Sequence, residues 1–174
     1  MATCEYCTLV EKGEKIVEDD KSVVVLSAAP ASKGHLLVLP KQHYTILEQV
    51  PDFLAGHLFN VANTVSTMLF ETLRIHGTNI IIENGTAAGQ KIAHMAINII
   101  PRSENDGLGF NWQPRQLSED AMSSAELQLK DASKNIGAFE AEKKEPVNVD
   151  KKEKVIRAPD EAESYLLRQL HRIP

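Results

Sequence analysis

Gly89-Gln90-Lys91-Ile92-Ala93-His94-Met95-Ala96-Ile97-Asn98-Ile99-Ile100-Pro101-Arg102 is the stretch that decides how this chain folds. Along an extended strand, successive side chains alternate between faces, so His94, Ala96 and Asn98 share one face and Met95, Ile97 and Ile99 share the other. The apolar row belongs in a core. The other row has polar ends and a methyl group at its centre, so it reads as the floor of a site whose middle member carries no chemistry. A loop of small residues, Asn84-Gly85-Thr86-Ala87-Ala88-Gly89, precedes it and lets a ligand come close to the backbone.

Working outward, residues 15–18 and 22–26 read as strands joined at Asp19-Asp20-Lys21. A buried strand spans 34–40 and ends at Pro40. Pro51-Asp52 opens a long helix through about residue 75, with Leu54, Leu58, Val61, Val65, Met68, Leu69 and Leu73 near helical spacing, and Gly77 ends it. Residues 79–83 form the next strand. The order strand–strand–strand–helix–strand–strand fills residues 1–110, and 111–174 read as a separate extension. There, Ser118-Glu119-Asp120 caps a helix over about 118–135 with Gly137 as its stop. Residues 141–154 are a charged linker or exposed hairpin. A short helix over about 160–171 carries Tyr165, Leu166, Leu167 and Leu170, a stripe that must dock on something.

The bulk properties narrow the function classes. The chain has 174 residues, 43% hydrophobic and 25% charged, with a net charge of −5 and a pI of about 5.7, which gives no general basicity for nucleic acid. No run of about 18 apolar residues is present, so no membrane span is expected. Met1-Ala2-Thr3-Cys4-Glu5 lacks the basic and apolar regions of a signal peptide, and a cytoplasmic, reducing location is the expectation. In that setting Cys4 and Cys7 are thiols or metal ligands rather than a disulfide. Their C-x-x-C spacing lets both thiolates bind one zinc, although redox-active or free thiols share the same pattern.

The 89–102 stretch resembles the signature of the histidine-triad (HIT) superfamily: Gly-Gln, three residues, His-x-His-x-His, two apolar residues, Pro-Arg. This chain keeps Gly89, Gln90, His94, Pro101 and Arg102 and carries Ala96 and Asn98 at the second and third triad positions. Cys4-Glu5-Tyr6-Cys7, the segment Lys33-Gly34-His35 through Pro40-Lys41-Gln42-His43, and Asn79 through Asn84-Gly85 agree in order and spacing. The resemblance covers residues 4 to 109. It implies an α+β fold, an antiparallel sheet of about five strands with a long helix packed on it, and a homodimer pairing through that helix and an adjacent strand.

In HIT relatives the middle His attacks the α-phosphorus of a nucleotide and forms a nucleotidyl-histidine that water or another acceptor resolves. The resemblance therefore implies a purine nucleotide hydrolase or nucleotidyl transferase, with AMP or a nucleotide conjugate as ligand. Ala96 stands at the nucleophile position, so this chain is expected to bind and turn over very slowly or not at all. An engineered replacement and a natural loss both fit, the latter leaving a non-catalytic sensor or adaptor. Gln90 and the amides of the 85–90 loop with Gly89 are expected to donate to phosphate, joined by Asn98 as a neutral substitute for His and by Asn84 at the pocket mouth. The position that grips the ribose falls on Ser27, and Leu26, Ala28 and Leu37 are expected to line the base pocket. Metal-binding relatives take ligands from the Pro-Lys-x-His segment and the first triad position. By that likeness Cys4, Cys7, His43 and His94 form a closed structural zinc site. His35 reads as a structural residue after the Gly34 turn. Lys143, Lys144, Lys151, Lys152 and Lys154 are interleaved with acids, so a solvated segment rather than a nucleic-acid arm is expected.

Overall fold

The computed structural model describes residues 4–133 and 136–137. The linker at 141–154, the helix at 160–171 and the last residues of the helix expected over 118–135 lie outside the described residues. The elements are α1 (Glu5–Lys12), β1 (Lys15–Glu18), β2 (Ser22–Leu26), β3 (Leu36–Pro40), α2 (Asp52–Leu73), β4 (Gly77–Ile81), β5 (Ile97–Arg102) and α3 (Glu119–Ala132). Short 3-10 turns lie at Leu47–Gln49 and Thr86–Ala88. The strands form one antiparallel sheet in the order β1-β2-β3-β5-β4.

Alternation along the central strands separates two apolar layers. Val24, Leu36, Val38, Met95, Ile97 and Ile99 pack with Leu54, Leu58, Ala62, Val65 and Leu69 of α2. These α2 positions recur at helical spacing and form the buried stripe. On the opposite face, Val23, Val25, Leu37, Leu39 and Ala96 pack with Val10, Tyr6 and Leu9 of α1. β3 lies between β2 and β5 and is buried along its whole length, as a strand covered on both faces must be.

Several boundaries depart from the sequence reading. The ladder of β5 begins at Ile97, so His94 and Ala96 precede the strand while keeping its alternation. Met95 is held there by its N–H donating to the Tyr44 carbonyl at 2.7 Å. α2 ends at Leu73 because Arg74 takes a left-handed conformation with φ of 53°, and Gly77 opens β4 instead of stopping the helix. The strand expected over 79–83 thereby starts two residues earlier. α1 was not anticipated. Cys4, its N-cap, and Cys7 read as a ligand pair, yet the eight residues of the helix present Tyr6, Leu9 and Val10 at helical spacing to the sheet. α3 carries the expected cap, with the Ser118 hydroxyl accepting from the Ala121 N–H at 3.3 Å. All its residues are exposed. No helix among the described residues is long and apolar enough to cross a membrane.

Leu58 has no exposed surface and sits where α2 meets the sheet. Leu58→Ala is expected to lower unfolding free energy by about 2–5 kcal/mol, read from denaturant midpoints at unchanged slope.

Candidate functional site

The sheet face opposite α2 is covered only partly by α1. Beside that helix lies a cavity of about 560 Å³, lined by Ser27, Ala29, Ala31 and His35 from the β2–β3 connection, and by Ile81 and Glu83 from β4 and its end. Gln90, Lys91, Ile92, His94, Ala96, Asn98 and Ile100 line it from the loop and β5, Glu5 and Tyr6 from α1, and Phe110 from beyond β5. That size suits a small organic ligand.

β5 alternation explains the floor. With Ile97 and Ile99 committed to the α2 core, Asn98 and Ile100 must face the cavity, and Ala96 continues their row. Asn98 pairs in register with Leu37 on one side and Ile81 on the other. Its Oδ1 lies 3.1 Å from His35 Nε2, and its Nδ2 donates to the Ile81 carbonyl at 3.3 Å. His35 Nδ1 accepts from the Ala31 N–H at 3.1 Å, so Nε2 carries the proton and donates to Asn98. Burial pushes the His35 imidazole below its ordinary pKa, which keeps the ring neutral in this chain of bonds. One Asn98 amide proton remains for a ligand. The Ser27 hydroxyl accepts from the Ala29 N–H at 3.3 Å and keeps its own proton for donation.

Gln90 lines the cavity, and its side-chain amide is already engaged. Both protons of its amide nitrogen are engaged, by the Thr45 carbonyl at 2.7 Å and the Ile92 carbonyl at 3.0 Å, and its oxygen accepts from the Gly85 N–H at 2.8 Å. It fastens the loop and has no donor left for phosphate. The loop amides of Ala88, Gly89 and Gln90 are likewise bonded within the turn. Gly85 and Gly89 supply the positive φ, 91° and 96°, that the turn requires. The backbone N–H groups of Lys91 and Ile92, two residues of the cavity lining, have no partner among the described residues. Tyr6 is held protonated by burial and by the charges of Glu83 and Glu5.

Other expected residues fall elsewhere. Asn84 is turned away from the cavity: its oxygen accepts from the Leu47 N–H at 2.8 Å, and its nitrogen donates to the Glu48 carboxylate at 2.7 and 2.8 Å. Gly89 shapes the loop without lining the cavity. Leu37 is sealed in the α1-side core, and Leu26 and Ala28 point outward at the strand end, Leu26 at 54% exposure. The apolar wall is built instead from Ala29, Ala31, Ile81, Ile100 and Phe110. The alternation signal placed Asn98 and could have placed Ile100. Nothing local marks Phe110, Glu83 or Tyr6.

Two residues before Ala96 in the chain, His94 converges with Cys4, Cys7 and His43, one ligand atom from each lying within 4.8 Å of all the others. Cys7 Sγ is 3.2 Å from His43 Nδ1 and 3.4 Å from His94 Nδ1, and Cys4 Sγ is 3.6 Å from His94 Nδ1. Sulfur and nitrogen bound tetrahedrally to one zinc stand about 3.5 Å apart. His94 Nε2 donates to the Pro40 carbonyl at 3.2 Å, which fixes the tautomer with its Nδ1 lone pair toward the sulfurs. Burial lowers the His94 pKa and favours the neutral ligand form. The donor set and spacing fit a metal ion.

A family model for the HIT domain matches residues 8–105. The adenylylsulfatase HINT3 of Arabidopsis thaliana is 36% identical over 109 residues, 60% of this chain and 55% of that protein, so the chain spans about half the length of that relative. The adenosine 5'-monophosphoramidase HNT1 of Candida albicans is 28% identical over 139 residues, 75% of this chain and 91% of that protein. A zinc-bound histidine triad family protein of Mycobacterium smegmatis superposes with a TM-score of 0.59 at 29% identity, covering 75% of this chain and 97% of that one. Solved HIT proteins share the five-stranded sheet and its packed helix. The domain match spans more than half of the sequence and coincides with the sheet, α2 and the cavity-forming loop, so the chain belongs to the HIT family.

Proposed function

We propose that this chain is a purine-nucleotide-binding HIT protein that holds a nucleoside monophosphate group over Ala96 and does not itself attack it. The observation that carries this reading is the cavity over the row formed by Ala96 and Asn98, with Lys91 and Ile92 also in its lining. The relatives named for adenylylsulfate and adenosine phosphoramidate hydrolysis support an adenine nucleotide as ligand. In the corresponding reaction an imidazole nitrogen forms a bond to the α-phosphorus while the bond to the leaving group breaks, and water then releases the nucleotide. Ala96 offers no lone pair for the first step. His94 is turned to the cysteines and His35 donates to Asn98, so neither replaces it. The reading of the same site as a non-catalytic sensor differs only in what restoring the imidazole does.

Cys4, Cys7, His43 and His94 would hold zinc as a closed four-ligand site, anchoring α1 beside the cavity without an open position for chemistry. The protein pairs as a homodimer in this proposal. Exposed Phe59, Phe70 and Leu73 on α2 and Ile80 on β4, the sheet's edge strand, support that surface. We keep the boundary at residue 110 between the HIT domain and the 111–174 extension, and a cytoplasmic location, as parts of the same reading.

Titration calorimetry is expected to show AMP binding by the chain as it stands, and Ala96→His to hydrolyse adenylylsulfate or an adenosine phosphoramidate at least about a hundredfold faster. Acid-trapped nucleotidyl-histidine should accompany it. Binding without any gained hydrolysis would favour the sensor, and absence of binding would end the nucleotide reading. Elemental analysis is expected to give about one zinc per chain, falling severalfold in Cys7→Ser.

Because burial lowers the His35 pKa, the folded state prefers the neutral ring. Its stabilisation is fully present above the unfolded value of about 6.5 and declines as pH falls toward the folded value. Between pH 7 and pH 5 the denaturant midpoint should fall more steeply in the parent protein than in His35→Asn. Equal slopes would remove His35 from that account.

A further inference from the structure

We propose that Phe110 is the base-stacking residue of the cavity, positioned by an Arg102–Asp106 clasp at the end of β5. This rests on the nucleotide reading above and names the residue that would discriminate a flat base from the rest of the ligand.

The clasp is densely built. Arg102 donates from Nε to Asp106 Oδ2 at 2.6 Å and from Nη2 to Asp106 Oδ1 at 2.8 Å, a bidentate pair that fixes the guanidinium plane. Nη2 also donates to the Leu108 carbonyl at 2.5 Å, and Nη1 donates to Asn79 Oδ1 on β4 at 2.5 Å. Asp106 accepts in addition from the Ser103 and Leu108 N–H groups at 3.2 and 2.9 Å. The Arg102 guanidinium beside it holds the Asp106 carboxyl far below the usual carboxylate range. Positive φ at Asn105 and Gly107, 59° and 76°, lets the chain turn tightly around this pair.

That turn delivers Phe110 to a definite place. The Arg102 guanidinium carbon lies over its ring, 5.2 Å from the centroid, a cation–π contact that pins an aromatic otherwise 41% exposed. Phe110 lines the cavity together with Ala29, Ala31, Ile81 and Ile100, all small or aliphatic. An aromatic ring held by a cation and set among small and aliphatic lining residues is what a planar base requires. A phosphate or sugar alone would gain little from it. Phe110 would contact the ligand, whereas Arg102 and Asp106 are positioning residues that act through its ring.

The test uses the full chain with AMP, ribose 5-phosphate and 2-aminopurine riboside 5'-monophosphate as probes. Phe110→Ala is expected to raise the Kd for AMP about tenfold or more, in line with the loss of a base–aromatic stack, and to leave the ribose 5-phosphate Kd within twofold. Phe110→Trp should retain AMP binding. Quenching of 2-aminopurine emission on binding should occur with the parent and with Phe110→Trp and be lost with Phe110→Ala. Asp106→Asn is expected to weaken AMP binding in the parent and to add nothing in the Phe110→Ala background. AMP binding unchanged by Phe110→Ala, or equal weakening of both AMP and ribose 5-phosphate, overturns the proposal while leaving the nucleotide reading intact. Failure of the parent chain to bind AMP overturns that reading instead.

Discussion

Side-chain alternation through residues 94–100 fixes both the core and the cavity. Met95, Ile97 and Ile99 are almost entirely buried against α2, and each holds its neighbour on the other side of the sheet. A register slip of one residue would drive Asn98 under α2 and turn Ile97 into the cavity, at the cost of an unpaired amide in an apolar layer. Antiparallel pairing with β3 and β4 locks the choice. The apolar residues therefore place the polar ones, and the site is a by-product of packing on the far face.

What the cavity can recognise follows from which polar groups are already engaged. The Gln90 side chain and the Gly85, Ala88, Gly89 and Gln90 N–H groups are already bonded, so they contribute little to a ligand. Asn98 is half engaged, and its orientation is set through His35 by the Ala31 amide. Lys91 is the one cation among the described residues lining the cavity, which Glu5 and Glu83 also line. A phosphate bound there would be met by N–H dipoles and neutral rings more than by net charge.

The fold was legible because its signals are periodic. Alternation gave the strands, helical spacing gave α2, and the Ser118 cap gave the start of α3. Cys4, Cys7, His43 and His94 were legible as a set because ligand chemistry restricts the residue types, and the structure brings them together. Less visible were the residues whose role depends on tertiary reach. Asn84 lies next to the loop in sequence, yet bonds to Leu47 and Glu48 decide its direction. The resemblance places Leu26, Ala28 and Leu37 at a base pocket, whereas the strand's faces bury Leu37 and leave Leu26 and Ala28 exposed. Phe110 sits eight residues past Arg102, and its contact with the Arg102 guanidinium, itself paired to Asp106, is a tertiary one that local sequence does not mark.

Ala96 shows how far fold and chemistry are separable in this architecture. Its methyl group joins Val10, Val25, Leu37 and the Tyr6 ring in one apolar cluster, so the position is satisfied as a core residue. No buried side-chain polar atom among the described residues lacks a partner. The bonds that orient Asn98, His35 and His94 run through Ala31, Ile81 and Pro40 and never through residue 96. A reacting side chain can thus be absent from the centre of the floor while the walls keep their geometry. The same packing holds whether the alanine arose naturally or by design, and the cavity keeps its lining without a nucleophile at residue 96.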